Sequence, residues 1–342
     1  MKCVLALTAI LAALSPFAST PASAEGQLKV YHWFEYIPQD LVEKFEKETG
    51  IDVTIDTYDS NEAMLASLKA GKLGDYDVAV PGDYMVEIMR GEGLLDSYTA
   101  EEMPNFGNIA PEWLDVPFDP GRKHSIPYQW GSTAFSVNRD VYKGDISSLA
   151  IIFNPPDELK GKINVLDSQG EVLALGSIYL GIPQCTQDRE QLKALNEMLL
   201  PAKPHWASFG SDTAKDVLVS GDAAAGMIYN GFSAKARAEG ANVEYAFPKE
   251  GYVVWMDNMV LLKDAPNRAN AIKLMNFLLD PQNAAAVTNY AAYNAGVKGA
   301  DAYLNDAIRN SPENNPPAGQ KGEFIKACDQ DLYDAIWTNL KK

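Results

Sequence analysis

The chain has 342 residues, of which 46% are hydrophobic and 22% are charged, and this composition is typical of a folded protein. Its formal net charge of −17 argues against nucleic acid and anionic lipid as partners, because both repel an acidic surface. With only three His and three Cys, and no closely spaced cysteines, we predict neither a metal site nor a cofactor.

The N-terminus has the pattern of a signal peptide. Lys2 is basic, Val4 to Leu14 is apolar but too short to span a bilayer, and Ala22-Ser23-Ala24 is a cleavage motif. We therefore predict that residues 1–24 are removed after Ala24 and that the protein is exported. Cys185 and Cys328 then remain, and an oxidising compartment permits one disulfide, but two separate thiols stay equally open.

The first part of the chain alternates between strand and helix patterns. The predicted elements are the strand Leu28–Tyr31, a helix between Pro38 and Gly50, the strand Ile51–Ile55, a helix capped by Asp59 or Ser60, the strand Tyr76–Val80 and the helix Met85–Arg90. This order favours a mainly parallel sheet, in which ligands bind at the carboxyl ends of the strands. Asp83 is interpreted as an N-cap rather than as a ligand-binding residue.

The remaining elements suggest a second α/β unit. The predicted strands are Ser125–Trp130, Ala134–Val137, Lys162–Asp167, Gly226–Tyr229, Val243–Phe247 and Gly251–Asn258, and the predicted helices are Val172–Tyr179, Gln191–Leu199, Thr213–Val219 (after the cap Ser211) and Ala269–Leu279. The apolar run Met259–Leu262 returns to the first unit. A chain that crosses twice between two lobes predicts a hinge with a cleft beside it.

Two clusters combine aromatic and acidic residues. Trp255 and Asp257 are two positions apart on a predicted strand, so their side chains share a face, and Trp33-Phe34-Glu35-Tyr36 has the same combination. An aromatic face attracts a cation and a carboxylate pairs with one, so the clusters favour a pocket for an amine. A purely structural role, with Trp255 in the core and Asp257 at the strand end, remains open.

Several segments carry a resemblance to a family. They are Trp33–Tyr36, Phe45–Ile51, Tyr76–Pro81, Ile126–Gly131, Gly226–Gly231, Phe247–Gly251 and Val254–Asp257. In this order they resemble the periplasmic spermidine/putrescine-binding proteins of ABC transporters. The resemblance implies a two-lobed periplasmic-binding-protein type II fold, each lobe a mainly parallel sheet flanked by helices. We expect lobe 1 to comprise residues 25–134 and 259–302, and lobe 2 residues 135–258 and 303–342.

The resemblance also implies a function. It predicts a monomeric periplasmic receptor, not an enzyme, that binds a small cationic amine and closes on it for delivery to a membrane permease.

Site roles follow from the same resemblance. Aromatic side chains would enclose the alkyl chain (Trp33, Tyr36, Tyr84, Trp255 and Tyr293), carboxylates would hold the nitrogens (Glu35, Glu171 and Asp257), and Ser211 would make a polar contact. The chain departs from its relatives at Gly82, where a serine is frequent, and at two further positions that the resemblance predicts to bind ligand: Ser168, where the spermidine binder has aspartate, and Tyr229, where tryptophan is usual. The lost carboxylate at Ser168 favours a putrescine-like diamine or a ligand with fewer charges, although spermidine stays open.

Other interpretations remain. Glu171 lies in the first turn of a predicted helix, where an acid also stabilises the helix dipole. The ligand could be γ-aminobutyrate or another amino acid, with Lys203, Arg237 or Lys249 facing its carboxylate. A secreted hydrolase using Glu35 and Glu171 is less favoured, because the chain has no G-x-S-x-G motif and no zinc-ligand spacing.

Overall fold

The computed structural model describes residues 26–342, so the predicted signal peptide lies outside the described residues. Residues 26–342 form an α/β structure of eleven strands and twelve α-helices. Each helix in this range is too short or too polar to cross a bilayer.

The alternation at the start of the chain is confirmed. The elements are β1 (Gly26–Trp33), α1 (Gln39–Thr49), β2 (Ile51–Tyr58), α2 (Asn61–Ser67), β3 (Val78–Ala79) and α3 (Asp83–Gly91). Helix α1 begins after Pro38 and ends at Gly50, whose φ of 69° suits glycine. Of the two cap candidates for α2, Ser60 is the N-cap, since its side chain accepts a hydrogen bond from Ala63 N.

The two predicted strands between residues 125 and 137 form one strand, β4 (Ser125–Asn138). The prediction broke the strand at Gly131-Ser132-Thr133 because those residues are small or polar. In the structure all three pair with a neighbouring strand. Glycine is required at position 131 because a Cβ atom there would lie 2.7 Å from the ring of Trp255.

The middle of the chain follows the prediction, with one strand and two helices (residues 150–153 and 230–238) added. It comprises α4 (Ala150–Phe153), β5 (Ile163–Val165), α5 (Gln169–Leu180), α6 (Arg189–Ala202), β6 (Trp206–Phe209), α7 (Ala214–Ser220), β7 (Ala225–Tyr229), α8 (Asn230–Ala238) and β8 (Val243–Ala246). Strand β6 was not predicted. The expectation that Ser211 caps α7 is wrong, because the N-cap is Thr213 and the buried hydroxyl of Ser211 has no hydrogen-bond partner.

The last part of the chain contains β9 (Tyr252–Leu261), α9 (Arg268–Leu278), α10 (Pro281–Ala291), β10 (Asn294–Ala295), α11 (Asp306–Arg309), β11 (Gly322–Phe324) and α12 (Gln330–Lys341). The run from 251 to 262, predicted as a strand followed by a return to the first unit, is the single strand β9.

The strands follow the order β2-β1-β3-β9-β4-β7-β5-β6, with β8 and β10 paired to β4 and β11 paired to β9. Strands β1, β2 and β3 are parallel to one another, and so are β5, β6 and β7. The long strands β4 and β9 run antiparallel between these two groups. We call β1–β3 the first strand group and β5–β7 the second strand group. The predicted mainly parallel sheets flanked by helices are thus confirmed, joined by two antiparallel strands.

Cys185 and Cys328 form a disulfide, which the sequence left open. The bond connects the segment after α5 to the residue before the N-cap of α12, across 143 positions of the sequence. It therefore fixes the C-terminal helix to the second strand group.

Removal of this bond should destabilise the protein. A loop of this length restricts the unfolded chain strongly, and loss of such a disulfide typically costs about 2–5 kcal/mol of unfolding free energy. Denaturant unfolding of the parent protein with and without reductant measures the effect. The double variant Cys185→Ser/Cys328→Ser is the control, and its unfolding should not respond to reductant. Equal stability of the oxidised and reduced parent would contradict the prediction.

Candidate functional site

A cavity with about 710 Å³ of empty space, which includes its opening to solvent, lies where the two strand groups face each other. Its walls come from the segments that follow β1, β2 and β3, from those that follow β5, β6 and β7, and from the middle of β9. Each of these six parallel strands therefore ends at the cavity. This is the position predicted for a ligand in a sheet of this type.

Ten of the eleven predicted site residues line this cavity. They are Trp33, Tyr36, Tyr84, Ser168, Glu171, Ser211, Tyr229, Trp255, Asp257 and Tyr293. Their positions in the sequence span 261 residues. Most of them meet because they lie on β9 or at and just after the ends of the parallel strands, and Tyr293 joins them from the segment between α10 and β10. Their role in binding stays a prediction, although the shared cavity it requires is present.

Aromatic rings form a continuous wall. Trp255 packs edge-on against Tyr293 with a centroid distance of 4.9 Å and against Tyr229 at 5.9 Å. Tyr36 in turn packs against Tyr293 at 5.4 Å. On the side of the first strand group, the Trp33 indole is held by a hydrogen bond of 2.8 Å from its Nε1 to the Val80 carbonyl. Trp255 is thus both part of the core and a wall of the cavity, so the structural and binding interpretations are compatible.

Asp257 lies within this wall and is 8% exposed. Its Oδ2 accepts a hydrogen bond of 2.7 Å from the Tyr36 hydroxyl. The Tyr128 hydroxyl donates to the backbone carbonyl of Tyr36 and so holds that residue in place. Burial raises the pKa of Asp257 to about 7, although the Tyr36 hydrogen bond acts in the opposite direction. A cation in the cavity would restore the ionised carboxylate.

Glu171 faces the cavity from helix α5, on the side of the second strand group. It is 6% exposed, and its Oε2 has no hydrogen-bond partner. Burial raises its pKa to about 8, with the negative charges of Asp83 and Asp257 adding to the effect. Glu171 lies in the first turn of α5, where the helix dipole favours its ionised form, and the effect of burial on its pKa outweighs that of the dipole.

Glu35 is the predicted site residue that does not line the cavity. Its side chain is 37% exposed, and its Oε2 lies 3.8 Å from Nζ of Lys235 on α8. The backbone at Glu35 has a φ of 49°, a strained value for a residue other than glycine. The pair connects the segment after β1 to the helix after β7, so in this structure Glu35 links the two strand groups.

Asp83 is a cavity residue that the sequence analysis assigned wrongly. The N-cap of α3 is Gly82, and Asp83 is the first residue of the helix, 2% exposed and lining the cavity. Its position in the sequence indicated this place, since Asp83 lies just beyond the parallel strand β3, after three intervening residues.

Asp59 and Asp212 also line the cavity and were missed, although they follow β2 and β6 in the same way. Burial, together with the hydrogen bond to and the negative charge of the neighbouring Asp59 carboxylate, raises the pKa of Asp212 to about 6.

Comparison with known proteins decides the family. The model of the family "Bacterial extracellular solute-binding protein" matches residues 40–316. This chain is a bacterial extracellular solute-binding protein. It is 37% identical over 325 residues to the spermidine/putrescine-binding periplasmic protein of Salmonella typhimurium, covering 94% of this chain and 93% of the relative.

Two further relatives agree. The putrescine-binding periplasmic protein of Pseudomonas aeruginosa is 35% identical, over 98% of this chain and 97% of its own. The solved spermidine/putrescine substrate-binding protein of an ABC transporter from Streptococcus pneumoniae is 30% identical, with a TM-score of 0.77 over 93% of this chain and 99% of that chain. The solute-binding protein therefore has the predicted two-lobed fold, and its family consists of binding proteins rather than enzymes.

The cavity of this solute-binding protein is acidic. Within residues 26–342, the cavity wall contains five carboxylates (Asp59, Asp83, Glu171, Asp212 and Asp257) and no Lys, Arg or His. None of the three cations considered for an amino-acid ligand, Lys203, Arg237 and Lys249, is among its lining residues, and Arg237 is paired with Glu313. The chemistry of the wall is that of a site for a cation with an apolar body.

Proposed function

We propose that this solute-binding protein is the receptor of an ABC importer for a linear polyamine of the putrescine or spermidine type. The observation that carries the proposal is the pair Asp257 and Glu171, two buried carboxylates that face one aromatic cavity, Asp257 from the connecting strand β9 and Glu171 from helix α5 beside the second strand group. The names of the relatives support the same ligand class.

The chemistry of the ligand follows from that pair. Each carboxylate offers a charge-assisted hydrogen bond to one ammonium group, and the rings between them cover the alkyl chain. Burying a lone carboxylate is costly, so a ligand with a positive charge at each end compensates both acids at once. A ligand that contacts both strand groups also stabilises the closed arrangement of the lobes, and a permease would recognise that arrangement.

The domain boundaries belong to the same proposal. Lobe 1 comprises residues 25–134 and 259–302, and lobe 2 residues 135–258 and 303–342. The pairing supports this division, since β3 contacts β9 at Val260–Leu261 whereas β7 contacts β4 at residues 133–137. The protein acts as a monomer in the periplasm after cleavage behind Ala24, and its partner is the membrane permease.

Titration calorimetry of the mature protein with putrescine, spermidine and γ-aminobutyrate tests the function. The polyamines should bind, whereas γ-aminobutyrate should bind far more weakly, because its carboxylate would meet an acidic wall without a cation. Mass spectrometry of ligand that copurifies with the protein identifies the natural amine. Absence of binding at millimolar polyamine would end the proposal, and tight binding of γ-aminobutyrate would replace it with the amino-acid function.

A further inference from the structure

Asp83 has an unusual environment for a buried acid. One carboxylate oxygen, Oδ1, accepts a hydrogen bond of 2.8 Å from the backbone N of Tyr84. The other, Oδ2, is buried and has no hydrogen-bond partner, although the side chain is 2% exposed and lines the cavity. An unpaired carboxylate oxygen in such a position is costly unless a bound group completes it.

The buried cation Arg122 makes no hydrogen bond to Asp83. Arg122 lies close enough to interact with it electrostatically, but the guanidinium is engaged elsewhere. Its nitrogens donate to the Trp113 carbonyl, to Ser125 and Asn258, and to the sulfur of Met256. Asp83 therefore remains available to a group inside the cavity.

The backbone brings Asp83 beside the other two acids. Gly82 forms a β-bridge with Asp257, and Asn258 N donates to the Pro81 carbonyl at 2.8 Å. The charge of Asp83 acts on Glu171 as well, and the negative charge of Asp257 contributes to raising the pKa of Asp83 well above its usual range, after burial as the larger cause. The described residues contain no group of three or more acids, His or Cys arranged to hold a metal ion. The three carboxylates thus lie in one cavity but are not gathered around a single ion.

We propose that Asp83 is a third amine-binding carboxylate, which holds an additional ammonium group and makes the cavity selective for a triamine over a diamine. The inference rests on the proposed function and assigns its ligand more narrowly. The number of desolvated carboxylates should match the number of ligand charges, and Asp83, Glu171 and Asp257 make three. Ser168, beside the second strand group, lacks the carboxylate that the resemblance implied at its position. Asp83, beside the first strand group, brings the number of buried carboxylates back to three.

The variant Asp83→Asn tests the proposal, because the amide keeps the shape of the side chain and removes its charge. Affinities for spermidine and putrescine are measured by calorimetry on the mature protein. We expect spermidine to bind roughly 10- to 100-fold more weakly, and putrescine to change by less than about threefold. The variant Asp52→Asn, which removes an exposed acid on β2 outside the cavity, is the matched control and should change neither affinity.

Each outcome decides between the proposals. In Asp83→Asn the ratio of spermidine affinity to putrescine affinity can stay unchanged in two ways, because both affinities fall together or because neither changes. Either result overturns the role of Asp83 and leaves the polyamine function intact. A parent protein that binds neither amine overturns both. Thermal unfolding of the ligand-free variants checks the fold, and Asp83→Ser provides the same comparison should the asparagine variant be unstable.

Discussion

Replacement of Asp257 by asparagine should weaken polyamine binding by roughly 30- to 5,000-fold, because loss of one partner of a buried charged pair costs about 2–5 kcal/mol. The carboxylate lies inside the aromatic wall at 8% exposure, where water cannot replace the lost interaction. Calorimetric titration of Asp257→Asn with putrescine and spermidine measures the loss for each amine.

A matched variant separates charge from position. Tyr36→Phe removes the hydroxyl that donates to Asp257 Oδ2 but keeps the ring and the carboxylate, so its effect on affinity should be much smaller. The ligand-free Asp257→Asn protein should be at least as stable as the parent, since a desolvated acid is replaced by a neutral amide. Binding by Asp257→Asn as tight as that of the parent would remove Asp257 from the site.

Polyamine affinity should rise with pH between about 5 and 8. The folded-state pKa values of Asp257 and Glu171 are raised from 3.8 and 4.5 to about 7 and about 8, so the ligand-free protein holds protons in this range that a bound cation displaces. The amines themselves stay protonated, as alkylammonium groups titrate near 10. As the pH is lowered below these pKa values, affinity should therefore fall by about tenfold per pH unit for each carboxyl group that must lose a proton on binding.

The same shifts affect the stability of the ligand-free protein in the opposite direction. Its folded state binds more protons than the unfolded chain between the ordinary and the raised pKa values. The contribution of these two groups to stability is therefore fully present below their ordinary pKa values of 3.8 and 4.5, and it is lost as the pH rises from there through the folded-state values of about 7 and about 8.

Calorimetry at pH 7 in two buffers of different ionisation enthalpy measures the protons released on binding. Glu171→Gln should release fewer protons than the parent and should show a shallower dependence of affinity on pH. Binding without proton release, and with constant affinity from pH 5 to 8, would contradict this assignment.

Much of the fold could be predicted from the sequence, because the residues that mark the ends of its helices and strands act locally. Pro38 and Gly50 mark the ends of α1, and Ser60 caps α2, through contacts within a few residues. The full length of β4 could not be predicted from such local patterns. Gly131 lies in the middle of that strand only because it packs against Trp255, a residue more than a hundred positions away.

Most residues of the candidate site could also be predicted from the sequence. Trp255 and Asp257 share a face because alternate residues of a strand do so, and the resemblance supplied most of the other lining residues. Asp83 was missed because helix capping explains an acid after a glycine equally well, and only the tertiary structure shows that its Oδ2 lacks a partner. Glu35 lies outside the cavity because it pairs with Lys235, a contact between strand groups that no local pattern reveals.

The residues that face the cavity from Gly82-Asp83, Ser168 and Ser211-Asp212 all lie outside the strands, at or just beyond strand ends. Their side chains can be exchanged without breaking a single ladder hydrogen bond or opening the core. Such an architecture allows a lineage to change its ligand by substituting acids and hydroxyls one at a time, while the scaffold that folds stays the same.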